Sequence, residues 1–399
     1  MSVTGKFKCF DCDNHFYEPE DALLRHLPEK YKHVLQYIQI NGRTKLAING
    51  HISNYIPNPT FEVVAAPGCH VEYYRGNNPD GKTLREFNVV ERRKDEYAYK
   101  NERRYEFLRS HGFAGALVYP TLASVIEGHM SHDPGFCHAV IHALNQWIKE
   151  EWGFGDDGTF FAVPIIPLMD AELAVQEAQW IIDQGGRVAL IRPTYVPGIR
   201  GNRSMGASEF DPLWSLLTEN KVFITFHASD CGVANDYNRF SREPVGAAEF
   251  TPFIKADPLE SVMDVHMRAV SDHLASMVCH GVFDRHPKLK VAYVETGVYW
   301  LFPLWDRLGH VYRMQPQNFK RHPHETIREH VWFHPFFEDD IYRLVDLVGA
   351  DHVLFGSDWP HPEGIAVPGD WANEISDLSD EDQAKIMGGN IMQLLDIAA

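Results

Sequence analysis

Short apolar runs of strand length recur along this chain, and stretches with apolar residues at helical spacing separate them. The runs are Phe7-Lys8-Cys9-Phe10, 115–119, 160–166, 187–191, 222–226, 291–294, 331–333 and 353–355. Helical periodicity marks 171–184, 211–220, 262–283 and 339–348. Strands that alternate with helices pair in parallel, because each helix returns the chain to the start of the next strand. Eight such units predict a closed (β/α)8 barrel of the TIM type. A doubly wound sheet is the weaker alternative, since no glycine-rich phosphate loop follows an early strand. With 399 residues, 44% of them hydrophobic, the chain can bury a core of that size as one domain over 1–399.

Parallel barrels gather functional residues at the C-terminal ends of their strands, so the strand tips are the places to look for chemistry. The last run opens into Gly356-Ser357-Asp358-Trp359-Pro360-His361, which offers Asp358. The first leads into Asp11-Cys12-Asp13-Asn14-His15, where a two-residue step puts Asp13 and His15 on one face. The fifth ends at His227. Imidazole plus carboxylate is the ligand mix that suits Zn2+, Mn2+ or Fe2+, and a catalytic site of this kind keeps one position open for water or substrate. Arg192, just past the fourth run, is a candidate clamp for a substrate anion, because guanidinium meets carboxylate in bidentate fashion; an ion pair at a strand end is the competing reading. Tyr119, His334 and Trp359 also stand near strand tips and are candidates to line a pocket, against the alternative that they pack in the core.

Two stretches exceed a minimal barrel: about a hundred residues between the first two runs and about thirty after His227, where loops of 2–6 residues are usual. Both follow strand tips and should overhang the mouth of the site, so the segment 45–112 is expected to form a lid or a dimer contact. The net charge of −18 argues against a nucleic-acid or anionic-membrane partner. No basic N-terminal segment leads into an apolar stretch, and the most apolar run, 160–169, is broken by Pro164 and Pro167. A soluble cytoplasmic protein is expected. Six cysteines in so long a chain form no dense framework, and the Cys9/Cys12 pair has no second CxxC to complete a zinc site.

Taken together, Asp11-x-Asp13-x-His15, His227, the segment Gly281-Val282-Phe283-Asp284-Arg285-His286-Pro287 and Gly356-Ser357-Asp358-Trp359-Pro360-His361 resemble the amidohydrolase-related family. The resemblance is to the branch that contains aminocarboxymuconate-semialdehyde decarboxylase and the γ-resorcylate and carboxyvanillate decarboxylases. It implies a distorted (β/α)8 barrel holding one divalent metal, with Asp13, His15, His227 and Asp358 as ligands. Zn2+ is the first expectation for that metal, with Mn2+ or Fe2+ as alternatives. The chain has Asp-x-His where many relatives have His-x-His, and Glu295 where many carry a histidine at the sixth strand tip. Glu295 then stands as a second acid or base beside Asp358. The implied activity is non-oxidative decarboxylation of a small aromatic or dienoic acid by a homodimer or larger assembly. Hydrolysis of a C–N, C–O or C–C bond by metal-activated water, and a non-catalytic barrel serving as a binding module, are the alternatives.

Overall fold

The computed structural model describes residues 7–53, 56–198, 201–231, 258, 262 and 265–397. Strand β1 (Cys9–Phe16) begins the barrel and is followed by two small sheets, β2 (Leu35–Ile40), β3 (Arg43–Ile48) and β4 (His51–Ser53), then β5 (Val63–Ala65) and β6 (Val90–Arg92). The barrel resumes with β7 (Phe113–Pro120), β8 (Phe160–Ala162), β9 (Val188–Ile191), β10 (Phe223–His227), β11 (Val291–Val294) and β12 (Val331–Phe333). Every barrel pairing is parallel, in the orders β1-β7-β8 and β9-β10-β11-β12. β9 and β11 are apolar and buried at every position, as strands covered on both faces must be.

Two seams join these arcs into a ring. Ile165 bridges Leu190 in parallel, with Ile166 N–H donating to Leu190 O at 2.9 Å and Leu190 N–H to Pro164 O at 2.8 Å. The expected strand 160–166 is therefore split in two, because Pro164 has no N–H to donate to a ladder. At the other seam Leu354 N–H donates to Phe333 O (2.8 Å), and Cys12 N–H donates to Phe355 O (3.0 Å). Residues 353–355 thus stand where the eighth strand was expected, but as a short bridge between β12 and β1 rather than a long ladder.

Helices lie where the periodicity places them. Asp170 caps Ala171–Asp183, accepting the N–H groups of Glu172 and Leu173, and Asp340 caps Ile341–Val348, accepting that of Arg343. The long pattern 262–283 becomes Val265–Cys279 and Val282–Arg285, separated at Gly281 with φ 66°. Among the described residues, no helix is long and apolar enough to cross a membrane. The six cysteines are free, and Cys9 and Cys12 are buried in β1.

The first insertion forms the two small sheets, the first of which starts at Leu35, ahead of the expected boundary at 45. It is fastened to the C-terminal loop by its backbone: Gly68 N–H donates to His361 O (3.2 Å) and His70 N–H to Pro362 O (2.8 Å). Most of the second insertion, after His227, lies outside the described residues.

Candidate metal centre

β1 does not run straight. Asp11 pairs with Ala116 and Asn14 with Val118, so three steps on β1 face two on β7. Such a bulge re-aims side chains at the mouth of a barrel, and here it contains Asp13 and precedes His15. Asp13 Oδ1 lies 3.3 Å from His15 Nε2 and 3.2 Å from His227 Nε2. Glu295 Oε2 completes a ring, 3.3 Å from His15 Nε2 and 3.1 Å from His227 Nε2. One ligand atom from each of these four residues lies within 4.8 Å of all the others. Asp358 Oδ1 stands on the far flank of His15, 3.5 Å from its Nε2.

This arrangement calls for a cation. His227 Nδ1 faces Ala228 O at 3.0 Å, which turns Nε2 toward the carboxylates of Asp13 and Glu295. Asp13 Oδ2, both His15 nitrogens and Asp358 Oδ1 are buried without a hydrogen bond. Each such orphan costs about 1–3 kcal/mol unless something binds it. Spacings near 3.1–3.5 Å are those between neighbouring ligands of one ion held at about 2.0–2.2 Å. The donor set, two imidazoles with carboxylates, fits a divalent transition metal.

Burial works against the Asp13 carboxylate, yet His15 and His227 hold it well below the usual carboxylate range. Glu295 is pushed by burial up to about 8, against the pull of His227. Burial, then the charges of Glu295 and Glu363, drive Asp358 well above its ordinary value. His15 falls to about 4 through burial. Both Glu295 (φ 51°) and Asp358 (φ 54°) adopt left-handed backbone, a strain of about 1–3 kcal/mol that clusters at functional sites.

A layer of buried partners fixes these groups. Asp11 accepts Ser357 N–H (2.9 Å), Asp13 N–H (3.1 Å) and Asn14 Nδ2 (3.0 Å), tying β1 to the loop that bears Asp358. Arg104, fully buried behind β1, donates to His15 O (2.6 Å), Glu96 O (2.8 Å) and Asn14 Oδ1. His334 accepts Glu295 N–H at Nδ1 (3.1 Å), which leaves its own proton on Nε2 facing Gly356 O (3.2 Å). Gly356 is required here, because a Cβ would stand 2.4 Å from that of Asp13.

The centre forms the floor of a cavity of about 590 Å3 that the first insertion helps to wall. Of the four residues expected to line a pocket or clamp a substrate, only His334 reaches it. Arg192 instead donates to Asp230 O (3.0 Å) and lies 3.9 Å from Glu127, so it serves the ion pair at a strand end. Trp359 stacks on Phe107 (3.9 Å between centroids) beneath Arg104, because its side chain points behind β1. Tyr119 is fully buried beside His227, its ring centroid 4.4 Å away, and supports the centre from below the cavity.

His361 was missed as a site residue, although it stands three residues beyond Asp358 in the motif. Thr121 Oγ1 donates to Phe16 O (2.9 Å) and so receives His361 Nε2–H (2.9 Å). That leaves His361 Nδ1 2.6 Å from Asp358 Oδ1.

Residues 78–397 match the sequence profile described as amidohydrolase. The chain belongs to the amidohydrolase family. It is similar over its whole length to an amidohydrolase from Mycobacterium avium subsp. paratuberculosis, with 37% identity, a TM-score of 0.90 and coverage of 98% of this chain and 99% of that one. A 2-amino-3-carboxymuconate-6-semialdehyde decarboxylase of Dictyostelium discoideum is 30% identical over 127 residues, 31% of this chain and 35% of its own length. A 5-carboxyvanillate decarboxylase from Novosphingobium aromaticivorans, complexed with manganese and 4-hydroxy-3-methoxy-5-nitrobenzoic acid, shares the fold at a TM-score of 0.61 and 14% identity, covering 100% of this chain and 98% of that one. This amidohydrolase is thus an enzyme whose named relatives include decarboxylases of carboxylic acids.

Proposed function

We propose that this amidohydrolase is a metal-dependent carboxy-lyase acting on an aromatic or dienoic carboxylic acid. The observation that supports this most is the ring of donors on the cavity floor, with His361 Nδ1 standing 2.6 Å from Asp358 Oδ1 beside it. Asp13, His15 and His227, with Asp358 from the flank of His15, would hold one divalent ion, Zn2+ first and Mn2+ or Fe2+ as alternatives; Glu295 lies within reach as a further donor. When bound, such an ion polarises a substrate oxygen or lowers the pKa of bound water.

The chain's own groups do the remainder. Asp358 and His361 deliver a proton to the ring or diene carbon as the bond from that carbon to the carboxylate breaks and CO2 leaves. Glu295, at the cavity edge of the ring, takes up a proton from substrate or water as charge moves. One observation favours hydrolysis as the second reading. Among the described residues lining the cavity, Arg85 is the sole lysine or arginine, against the carboxylates Glu295, Glu338, Asp358 and Glu363. A neutral ester or amide meets less repulsion there than a free acid.

The test is to load the protein with Zn2+ or Mn2+ and assay dihydroxybenzoic and muconic acids for CO2 release beside esters, amides and lactones for hydrolysis. CO2 release that falls roughly 10²–10⁴-fold in Glu295→Gln, with metal content retained, supports the lyase reading. Turnover of the neutral panel alone overturns it in favour of hydrolysis.

A further inference from the structure

Above the metal-binding floor the cavity changes character. Its outer wall is built from Phe61, Val64 and Leu84 of the first insertion, Phe336 and Phe337 after β12, and Ile365 of the C-terminal loop. Leu84, Phe336 and Ile365 are partly exposed, while Phe61, Val64 and Phe337 border the cavity with most of their surface buried. Exposing apolar surface to water is unfavourable, and pockets of roughly 300–1,000 Å3 with walls of this kind are those that enclose drug-sized ligands. At about 590 Å3 the cavity offers room for much more than one substituted ring.

The wall is also preformed. The backbone bonds from Gly68 to His361 and from His70 to Pro362 hold the insertion against the loop that bears Asp358 and His361. Ile365 N–H donates to Ser357 O at 2.8 Å, and the ring of Phe61 stacks on that of Tyr17 with centroids 4.7 Å apart. A second acidic group on the ligand would find little welcome here. Among the described residues of its lining, the one guanidinium, Arg85, is exposed on the insertion, beside four carboxylates.

We infer that the substrate is a hydrophobic monocarboxylic acid, with its carboxylate-bearing ring at the metal floor and an alkyl or polycyclic body against the wall of Phe61, Val64, Leu84, Phe336, Phe337 and Ile365. This rests on the lyase reading for the acid group and adds the apolar body, which that reading does not supply. The specificity then comes from burial on the wall.

The experiment is calorimetric titration of the Mn2+-loaded protein with 4-alkylsalicylic acids of increasing chain length, methyl to heptyl, with CO2 release measured on the same series. The dissociation constant should fall by about fourfold per methylene until the wall is covered, as full burial of each CH2 requires. Leu84→Glu, and independently Val63→Glu at a cavity position 47% exposed on β5, should cut that gain by at least half. Affinity that is flat or weaker as the chain grows overturns the inference. Tight binding of the long acids with no CO2 released would leave the hydrophobic wall in place and remove the lyase reading. Turnover of single-ring acids with no gain from the chain would do the reverse.

Discussion

Replacing Gly356 by alanine should break the metal centre without touching any of its ligands. The added Cβ would stand 2.4 Å from Asp13 Cβ, 2.7 Å from His334 Cε1 and 2.8 Å from His334 Nε2. Carbon atoms prefer separations of about 3.5–4.0 Å, so Asp13 or His334 must retreat by roughly 1 Å. Neither has room: His334 is held by Glu295 N–H and Gly356 O, and Asp13 sits on a bulge whose carbonyl accepts Asp358 N–H at 2.7 Å. Overpacking of this kind costs about 1–3 kcal/mol. With an unfolding entropy near 2.1 cal/mol/K per residue over 399 residues, that becomes a fall in Tm of about 1–4 °C. The larger effect is on the metal, because ligand distances tolerate only about ±0.2 Å. Affinity should drop by about 10–100-fold, the range typical when support around a ligand is lost. Competition with a chelator of known affinity, alongside calorimetry of the metal-free protein, measures both quantities. A Gly356→Ala protein with unchanged metal affinity and unchanged Tm would show that Asp13 is not held as described.

Other expectations test the surroundings of the centre. Glu18 is buried and accepts N–H groups of Thr121, Leu122 and Ala123, and burial raises its pKa to about 7 from 4.5. Between those values the native state holds a proton that the unfolded state has released, so stability should decline as pH rises from 4.5 to 7, by about 3 kcal/mol from this group. Glu18→Gln should flatten that decline in urea titrations, and an unchanged slope would exclude the group. Arg104→Met should destabilise the protein by about 2–4 kcal/mol, since His15 O, Glu96 O and Asn14 Oδ1 lose their donor while burial of a charge is relieved. Urea unfolding checks this, and a more stable variant would contradict it. Arg192→Met should leave KM within about twofold of wild type, because its guanidinium serves Glu127 and Asp230 rather than the cavity; a large rise in KM would restore it as a substrate clamp.

The barrel was legible because its strands are apolar on both faces and its helices keep a strict period, neither of which depends on distant contacts. That Asp13, His15, His227 and Asp358 would converge was legible for a related reason: a polar residue that ends a buried strand has few places to go except the mouth of the barrel. Glu295 was read as an acid or base, and the structure also brings it into the ring with both histidines. Arg192 and Trp359 were misplaced as pocket residues because spacing along the chain does not say whether a side chain just past a strand turns inward or outward. That direction is set by local backbone, such as the left-handed turn at Asp358, and by neighbours such as Phe107 and Arg104, which both arrive on the helix Glu102–Ser110. The apolar wall had no sequence signal, since its residues come from three separate segments without periodicity.

The account stands on a divalent ion held by Asp13, His15 and His227, and elemental analysis of the purified protein beside a His15→Ala/His227→Ala double variant tests it most directly. About one equivalent of metal per chain in the wild type, absent from a double variant that remains folded, is the expected result. Equal metal content in both proteins, or none in the wild type after loading with Zn2+ or Mn2+, would contradict it.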